Sequence, residues 1–435
     1  MKRIAMISEH ASPLAGLGGA DGGGQNVYVG QLARHLCRMG HRVEVFTRLD
    51  RPGLPAAVGW EDGVRIVHVP AGPPAAVRKE DLLPFMPEFT AHFVRAARRG
   101  RPGYDLAHAN FFMSALVAAE AKRLTGLPFA VTFHALGRVR RLHQGGADAF
   151  PDERLAVEDR VVREADRILS ECPQDAQDLI AHYGAEPHRL RTVPCGFDPA
   201  EFGPGDRLAA RAGLGLSPGE PVVLQLGRMV PRKGVDNVIR GLALLRRGHG
   251  IDARLLVVGG ESREPDPRLT PEIGRLQRVA AEEGVSDRVT FVGSRRRDEL
   301  AAFYRAADVF VTTPWYEPFG ITPVEAMACG TPVVGAEVGG IKYTVRDGQT
   351  GFLVPPRDPA ALADRLARLF RDPALRRVLG AQALRRAHSL FTWRRVAAMA
   401  DRVFDEVIAG RPVCRALPPA DLARLIAPTQ PAVQS

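Results

Sequence analysis

Two carboxylates, Glu317 and Glu325, flank a short segment, Phe319-Gly320-Ile321-Thr322, in which a flexible glycine leads into a helix start. Such a segment can hold an anion, because the free N–H groups and the dipole of a helix N-terminus favour a phosphate. Carboxylates on either side accept hydrogen bonds from hydroxyl groups. Thr322, Pro323 and Glu325 are predicted to supply the N-cap, the first helical position and the closing glutamate of a capping box, with Gly330 and Pro332 ending the helix. The structural alternative is that Glu325 only caps this helix and Glu317 is solvated. A ligand that carries both hydroxyls and phosphates is a sugar nucleotide.

Other stretches carry related chemistry. In residues 226–234, Arg228 and Lys233 follow an apolar run and precede a helical pattern. They are either a solvated loop pair or cations for an anionic leaving group, whose growing charge fixed cations stabilise. Residues 18–26 form a glycine-rich turn that is neither G-x-G-x-x-G nor a P-loop, which argues against dinucleotide and nucleoside-triphosphate binding; a mobile surface loop is its plain alternative. His134, directly after a predicted strand, is either a structural hydrogen-bonder or a ligand contact. Arg295, with Arg296 and Arg297 beside it, is either a nucleotide contact or part of a solvated basic turn.

These residues need a scaffold that brings loop ends together. Strands are predicted at 3–8, 42–47, 64–69, 106–109, 129–132 and 167–170, alternating with helix-length amphipathic segments such as 26–39. Such alternation specifies a parallel sheet covered by helices. After a Gly-Pro-Gly-Asp turn at 203–206 it restarts, with strands at 222–226, 254–258, 289–292, 309–312 and 332–335. A chain of 435 residues suits two cores. The expected architecture is α/β, two doubly wound Rossmann-like domains at 1–198 and 199–391, with ligands in the cleft at the strand ends. Residues 411–435, rich in Pro and Ala, are expected to form a flexible tail.

Hydrophobic residues make up 45% and charged residues 25%, as in soluble globular proteins. The net charge of +10 suits a small anionic substrate, and no aromatic-interleaved basic module points to a specific nucleic acid. Five widely spaced cysteines, without a C-x-x-C, argue against a disulfide framework or zinc site and for a reducing compartment. With no signal-like segment and no 18-residue apolar run, a cytoplasmic protein is expected, open to peripheral membrane contact.

In residue order and spacing, residues 315–332 resemble the signature of retaining glycosyltransferases of family 4, and the resemblance extends over residues 3–408. It implies the GT-B fold, whose last helix, here 392–410, crosses back to complete the first domain. It also implies that Glu317 takes hydroxyls of the transferred sugar and Glu325 the nucleotide ribose, while Arg228 and Lys233 clamp the diphosphate. Phe319, Gly320, Ile321, Thr322 and Arg295 then belong to the donor site, and Gly24 and Asn26 approach donor phosphate and acceptor. His134 is implied as a contact to the transferred sugar near the reacting carbon. The acceptor side is similar to inositol-phosphate N-acetylglucosaminyltransferases of the mycothiol pathway and to sucrose-phosphate synthases. Lys79 and Arg154 match acceptor-phosphate positions of the former, but Phe111 and Ala135 stand where those enzymes have a tyrosine and a threonine.

The resulting expectation is a retaining, metal-independent hexosyltransferase without a cofactor. It moves a sugar from a nucleoside diphosphate, taken as UDP, to a hydroxyl of a small acceptor such as a phosphorylated polyol or sugar. The absence of a D-x-D triplet leaves the diphosphate to Arg228 and Lys233. Rival readings on the same scaffold are a sugar-nucleotide epimerase or hydrolase, and a non-catalytic nucleotide-sugar or nucleic-acid binder.

Overall fold

The computed structural model describes residues 1–14, 23–99 and 103–410; the tail at 411–435 and most of the glycine-rich turn lie outside the described residues. Eight strands form the first sheet: β1 (Arg3–Ile7), β2 (Arg42–Arg48), β3 (Ala57–Gly59), β4 (Arg65–Val69), β5 (Leu106–Asn110), β6 (Phe129–Thr132), β7 (Arg167–Ser170) and β8 (Leu190–Thr192). Their order is β3-β4-β2-β1-β5-β6-β7-β8, parallel except for β3 against β4. The central strands β1 and β5 are buried almost throughout, as strands covered by helices on both faces must be.

The second sheet contains β9 (Val222–Leu226), β10 (Arg254–Val258), β11 (Val289–Gly293), β12 (Val309–Thr312), β13 (Val333–Ala336) and β14 (Gly351–Val354), all parallel in the order β11-β10-β9-β12-β13-β14. Strand order reverses between β1 and β5 in one sheet and between β9 and β12 in the other. Crevices at the carboxyl ends of doubly wound sheets open at such switch points.

Three strands escaped the sequence reading. β3 and β8 have three residues each and β14 has four, too short for a readable pattern, and β14 begins on a glycine. The helix expected at 26–39 begins two residues earlier, as Gly24–Arg38, because the Asn26 side chain accepts the Gly23 N–H at 3.0 Å and secures its first turn.

The last described helix, Trp393–Ala409, returns to the first sheet and packs on β5, β6, β7 and the helix Gly24–Arg38. Trp393 is fully buried, 5.8 Å from the Tyr28 ring. The crossing is pinned by a parallel bridge between Phe197 and Thr392: the Phe197 N–H donates to the Phe391 carbonyl at 2.8 Å and the Trp393 N–H to the Phe197 carbonyl at 3.1 Å. Among the described residues no helix is long and apolar enough to cross a membrane.

Candidate active site

A cavity of about 370 Å³ lies between the domains, lined by the loops that follow β9 and β12 on one side and β1, β5 and β6 on the other. Its floor on the second-domain side is one ion pair. The loop after β9 turns through Pro231–Lys233 and ends at Gly234, where φ is +66°. A Cβ there would lie 2.0 Å from the Thr313 carbonyl oxygen, so only glycine lets this loop close onto the end of β12. That closure brings the Lys233 ammonium onto the Glu317 carboxylate.

The electrostatics around this pair are positive. Burial alone would raise the Glu317 pKa, but Lys233, Arg232 and Arg228 outweigh it and hold the carboxyl below its ordinary value. Burial, with repulsion from Arg232 and Arg228, outweighs Glu317 and holds the Lys233 amine below its ordinary value as well. Arg228, Arg232 and Lys233 all line the cavity. Support comes from the segment after β13: the Gly340 N–H donates to the Glu317 carbonyl at 2.9 Å, and a Cβ on Gly340 would meet the Phe319 backbone at 2.3 Å.

The capping expectation is corrected. The helix is Ile321–Ala328, its N-cap is Gly320 at φ +90°, and no side chain caps it. Glu325 therefore lies beyond the first turn and turns inward, accepting from Arg297 Nη1 at 2.9 Å and from the Tyr304 hydroxyl at 2.9 Å. Burial raises its pKa despite those partners. Phe319, Gly320, Ile321 and Thr322 line the cavity with Glu325. Arg295 also lines it, but its Nη1 donates to the Arg263 and Ser294 carbonyls, so Arg297 is the guanidinium that meets Glu325.

On the first-domain wall Gly24 approaches the other domain closely, with Ile321 Cδ1 3.4 Å from where its Cβ would be. Asn26 lines the cavity, yet its amide is spent on Gly23 N–H and on the Ser12 carbonyl at 3.0 Å. His134 has φ +59°, a conformation that is uncommon for a residue with a Cβ. Its Nδ1 lies 2.9 Å from Glu171 and its Nε2 3.1 Å from the Asn110 side-chain oxygen, so both ring nitrogens face acceptors of its own domain. Lys79 lines the cavity and Arg154 does not.

Residues to which the sequence reading gave no role complete the wall. His10 is held by the buried Glu9 at 2.8 Å, and the other oxygen of Glu9 accepts from the Ser114 hydroxyl. Arg140 and Phe150 face the same space. Tyr316 ties the domains together: its ring stacks on His143 at 5.1 Å and lies under the Arg232 guanidinium at 5.1 Å, and Gln144 donates to its hydroxyl. These partners are distant in sequence, so no local spacing announces them. Among the described residues no three His, Cys, Asp or Glu side chains converge as a metal site.

Two doubly wound domains, with cations after β9 and a glutamate-flanked helix start after β12, define a GT-B glycosyltransferase. The family described as Glycosyl transferase 4-like domain matches residues 23–196, and the family Glycosyl transferases group 1 matches residues 206–386. The chain belongs to this glycosyltransferase family. It is 41% identical over 401 residues to the D-inositol 3-phosphate glycosyltransferase of Actinosynnema mirum, covering 91% of this chain and 95% of that one. A second such enzyme, from Catenulispora acidiphila, is 39% identical over 94% of this chain and 95% of its own. Among solved structures, the sucrose-phosphate synthase from Thermosynechococcus elongatus superposes with a TM-score of 0.86 at 34% identity, covering 94% of this chain and 100% of that one.

Proposed function

We propose that this chain is a retaining, cytoplasmic hexosyltransferase that uses a UDP-sugar and transfers the sugar to a hydroxyl of a small phosphorylated polyol, without a metal ion. The observation that carries this reading is the Lys233–Glu317 pair, set among Arg228 and Arg232 beside the start of helix Ile321–Ala328. A departing nucleoside diphosphate gains negative charge, and preorganised cations aimed at it stabilise the transition state more than the ground state. Arg228 and Lys233 supply that charge, which a metal ion supplies in other transferases. The polyol phosphate is suggested by the names of the relatives and by the cations that line the first-domain wall.

Glu317 and Glu325 both have cation partners, so the reading assigns them hydroxyl binding rather than nucleophilic attack. In the proposed front-face step the bond from the anomeric carbon to the diphosphate oxygen breaks and the acceptor oxygen bonds to the same face of that carbon. The released phosphate oxygen takes the acceptor hydroxyl proton. His134 faces the sugar from the first domain, Glu317 holds its hydroxyls, and Glu325 takes the ribose.

A second reading, with a sugar phosphate as acceptor, is supported by the likeness to the sucrose-phosphate synthase. UDP release from a panel of UDP-sugars, with and without inositol 3-phosphate or hexose phosphates, tests both. Release driven by one acceptor, with the donor's anomeric configuration kept in the product, supports transfer with retention. An inverted product, a trapped covalent glycosyl-enzyme, or release that ignores every acceptor overturns the mechanism.

A further inference from the structure

Arg297, the guanidinium that meets Glu325, is gripped by two consecutive residues of the segment that joins the domains. Glu201 and Phe202 lie between β8 and the helix Arg207–Gly213. The Arg297 Nε donates to Glu201 Oε2, and the Arg297 Cζ lies 4.8 Å from the centroid of the Phe202 ring. One residue thus fixes an edge of the guanidinium and the next fixes its plane. Phe202 is fully buried, and its ring meets that of Tyr304 edge-on at 5.8 Å. The Glu201 and Phe202 N–H groups both donate to the Asp198 carbonyl, at 3.0 and 2.9 Å, in a turn directly after the Phe197–Thr392 bridge. The other Glu201 oxygen faces the first domain, where Gln31 Nε2 on the helix Gly24–Arg38 lies 3.4 Å away.

Neither Glu201 nor Phe202 lines the cavity, whereas Arg297 and Glu325 do. Arg297 Nη1 occupies one Glu325 oxygen and the Tyr304 hydroxyl the other, each at 2.9 Å. Each oxygen keeps a lone pair that can accept from a ligand hydroxyl. Burial alone would lower the Arg297 pKa, but Glu325 and Glu201 outweigh it, so the guanidinium stays charged between its two carboxylates. Its last donor, Nη2, is shielded from solvent and meets no acceptor. A guanidinium released by Glu201 can turn this spare donor onto Glu325 and fill the lone pair that a ligand hydroxyl would take.

We propose that Glu201, in the segment between the domains and outside the cavity, is a positioning residue for the nucleotide. By holding Arg297 at its Nε edge it keeps Glu325 open to the ribose, so this joining segment sets the preference for a nucleotide with both ribose hydroxyls. The proposal rests on the reading that Glu325 takes the ribose.

The test titrates UDP and its 2′,3′-dideoxy analogue calorimetrically into the full chain. UDP should bind the wild type about tenfold or more tighter than the analogue, because hydroxyls donate strongly to a carboxylate. Glu201→Ala should cut that ratio about fivefold or more, chiefly by weakening UDP, with the affinity for the analogue kept within about twofold. Glu201→Gln keeps an oxygen for Arg297 but not the charge, and should lose part of the ratio. In Glu325→Gln, adding Glu201→Ala should change the ratio no further, because Glu201 acts through that carboxylate. A merely structural Glu201 would lower the melting temperature and weaken both nucleotides alike. A ratio lost in Glu325→Gln but kept in Glu201→Ala overturns the proposal alone, as does a further loss in the double variant. Should Glu201→Ala fail to fold, an unchanged ratio in Glu201→Gln has the same force. A wild type that binds both nucleotides alike overturns the ribose reading itself, and this proposal with it.

Discussion

The Lys233 ammonium meets the Glu317 carboxylate across two loops that are far apart in sequence, and both groups are largely buried. Taking away one partner of a buried pair leaves the other charge uncompensated, which costs about 3–5 kcal/mol of stability. Lys233→Met alone should therefore lower both stability and turnover. Measured against Glu317→Gln, the double variant Lys233→Met/Glu317→Gln should still lose about 3 kcal/mol of transition-state stabilisation, on the order of a hundredfold in kcat. Equal kcat in the double variant and Glu317→Gln would remove Lys233 from the reaction.

This pair marks the boundary of what sequence makes legible. Glu317, Lys233 and Arg228 were identifiable because each sits at the end of an apolar strand, where chemistry collects in a doubly wound fold. Their mutual contact was not, because it depends on Gly234 closing one loop onto Thr313 of the other. Glu325 was placed in the right segment but given the wrong local partner. A capping box is a local pattern, whereas the partner that holds this carboxylate, Arg297, comes from another helix. On the first domain, Arg154 and Glu158 stand one helical turn apart and pair at 2.7 Å. That the same arginine is roofed by Phe111, Phe112 and Phe150 is a tertiary fact without a sequence signature.

Glu325 accepts from both Arg297 and Tyr304, and these two hold its carboxylate ready at the cavity edge. Glu325→Gln should weaken UDP binding by about 1–3 kcal/mol, the range for hydrogen bonds to a charged group. Arg297→Met should weaken it too, and the two losses should not add, since residues in one network couple. Titration calorimetry with UDP measures both. Unchanged affinity in Glu325→Gln would confine Glu325 to a structural role.

Gly340 tests the support beneath Glu317. Its φ of −68° suits any residue, so the only obstacle to a side chain is space, and a Cβ would meet the Phe319 carbonyl oxygen at 2.3 Å. Gly340→Ala should push the 317–319 loop toward the cavity and lower turnover roughly a hundredfold, as a misplacement of about 1 Å can. Overpacking should also cost about 1–3 kcal/mol of stability. Gly213→Ala, where a Cβ meets nothing within 4 Å, is the control and should retain activity. Wild-type turnover in Gly340→Ala would show that the loop yields without moving Glu317.

Asp175 lies behind the residue that holds His134: its Oδ2 accepts the Glu171 N–H at 2.9 Å. Burial, reinforced by the Glu171 charge, pushes its carboxyl up to about 8 from an ordinary 3.8. Between those values the folded chain keeps a proton that the unfolded chain has released, so the stability Asp175 contributes is complete below about pH 4 and declines as pH rises through about 8. Asp175→Asn keeps the shape of the protonated acid and does not titrate. Urea unfolding at several pH values from 5 to 8.5 should show wild type losing stability relative to Asp175→Asn as pH rises. Parallel profiles would mean that Asp175 is already charged at the lower pH. The variant should also flatten any fall in turnover over the same interval, because a charged Asp175 repels the Glu171 carboxylate on which His134 Nδ1 rests.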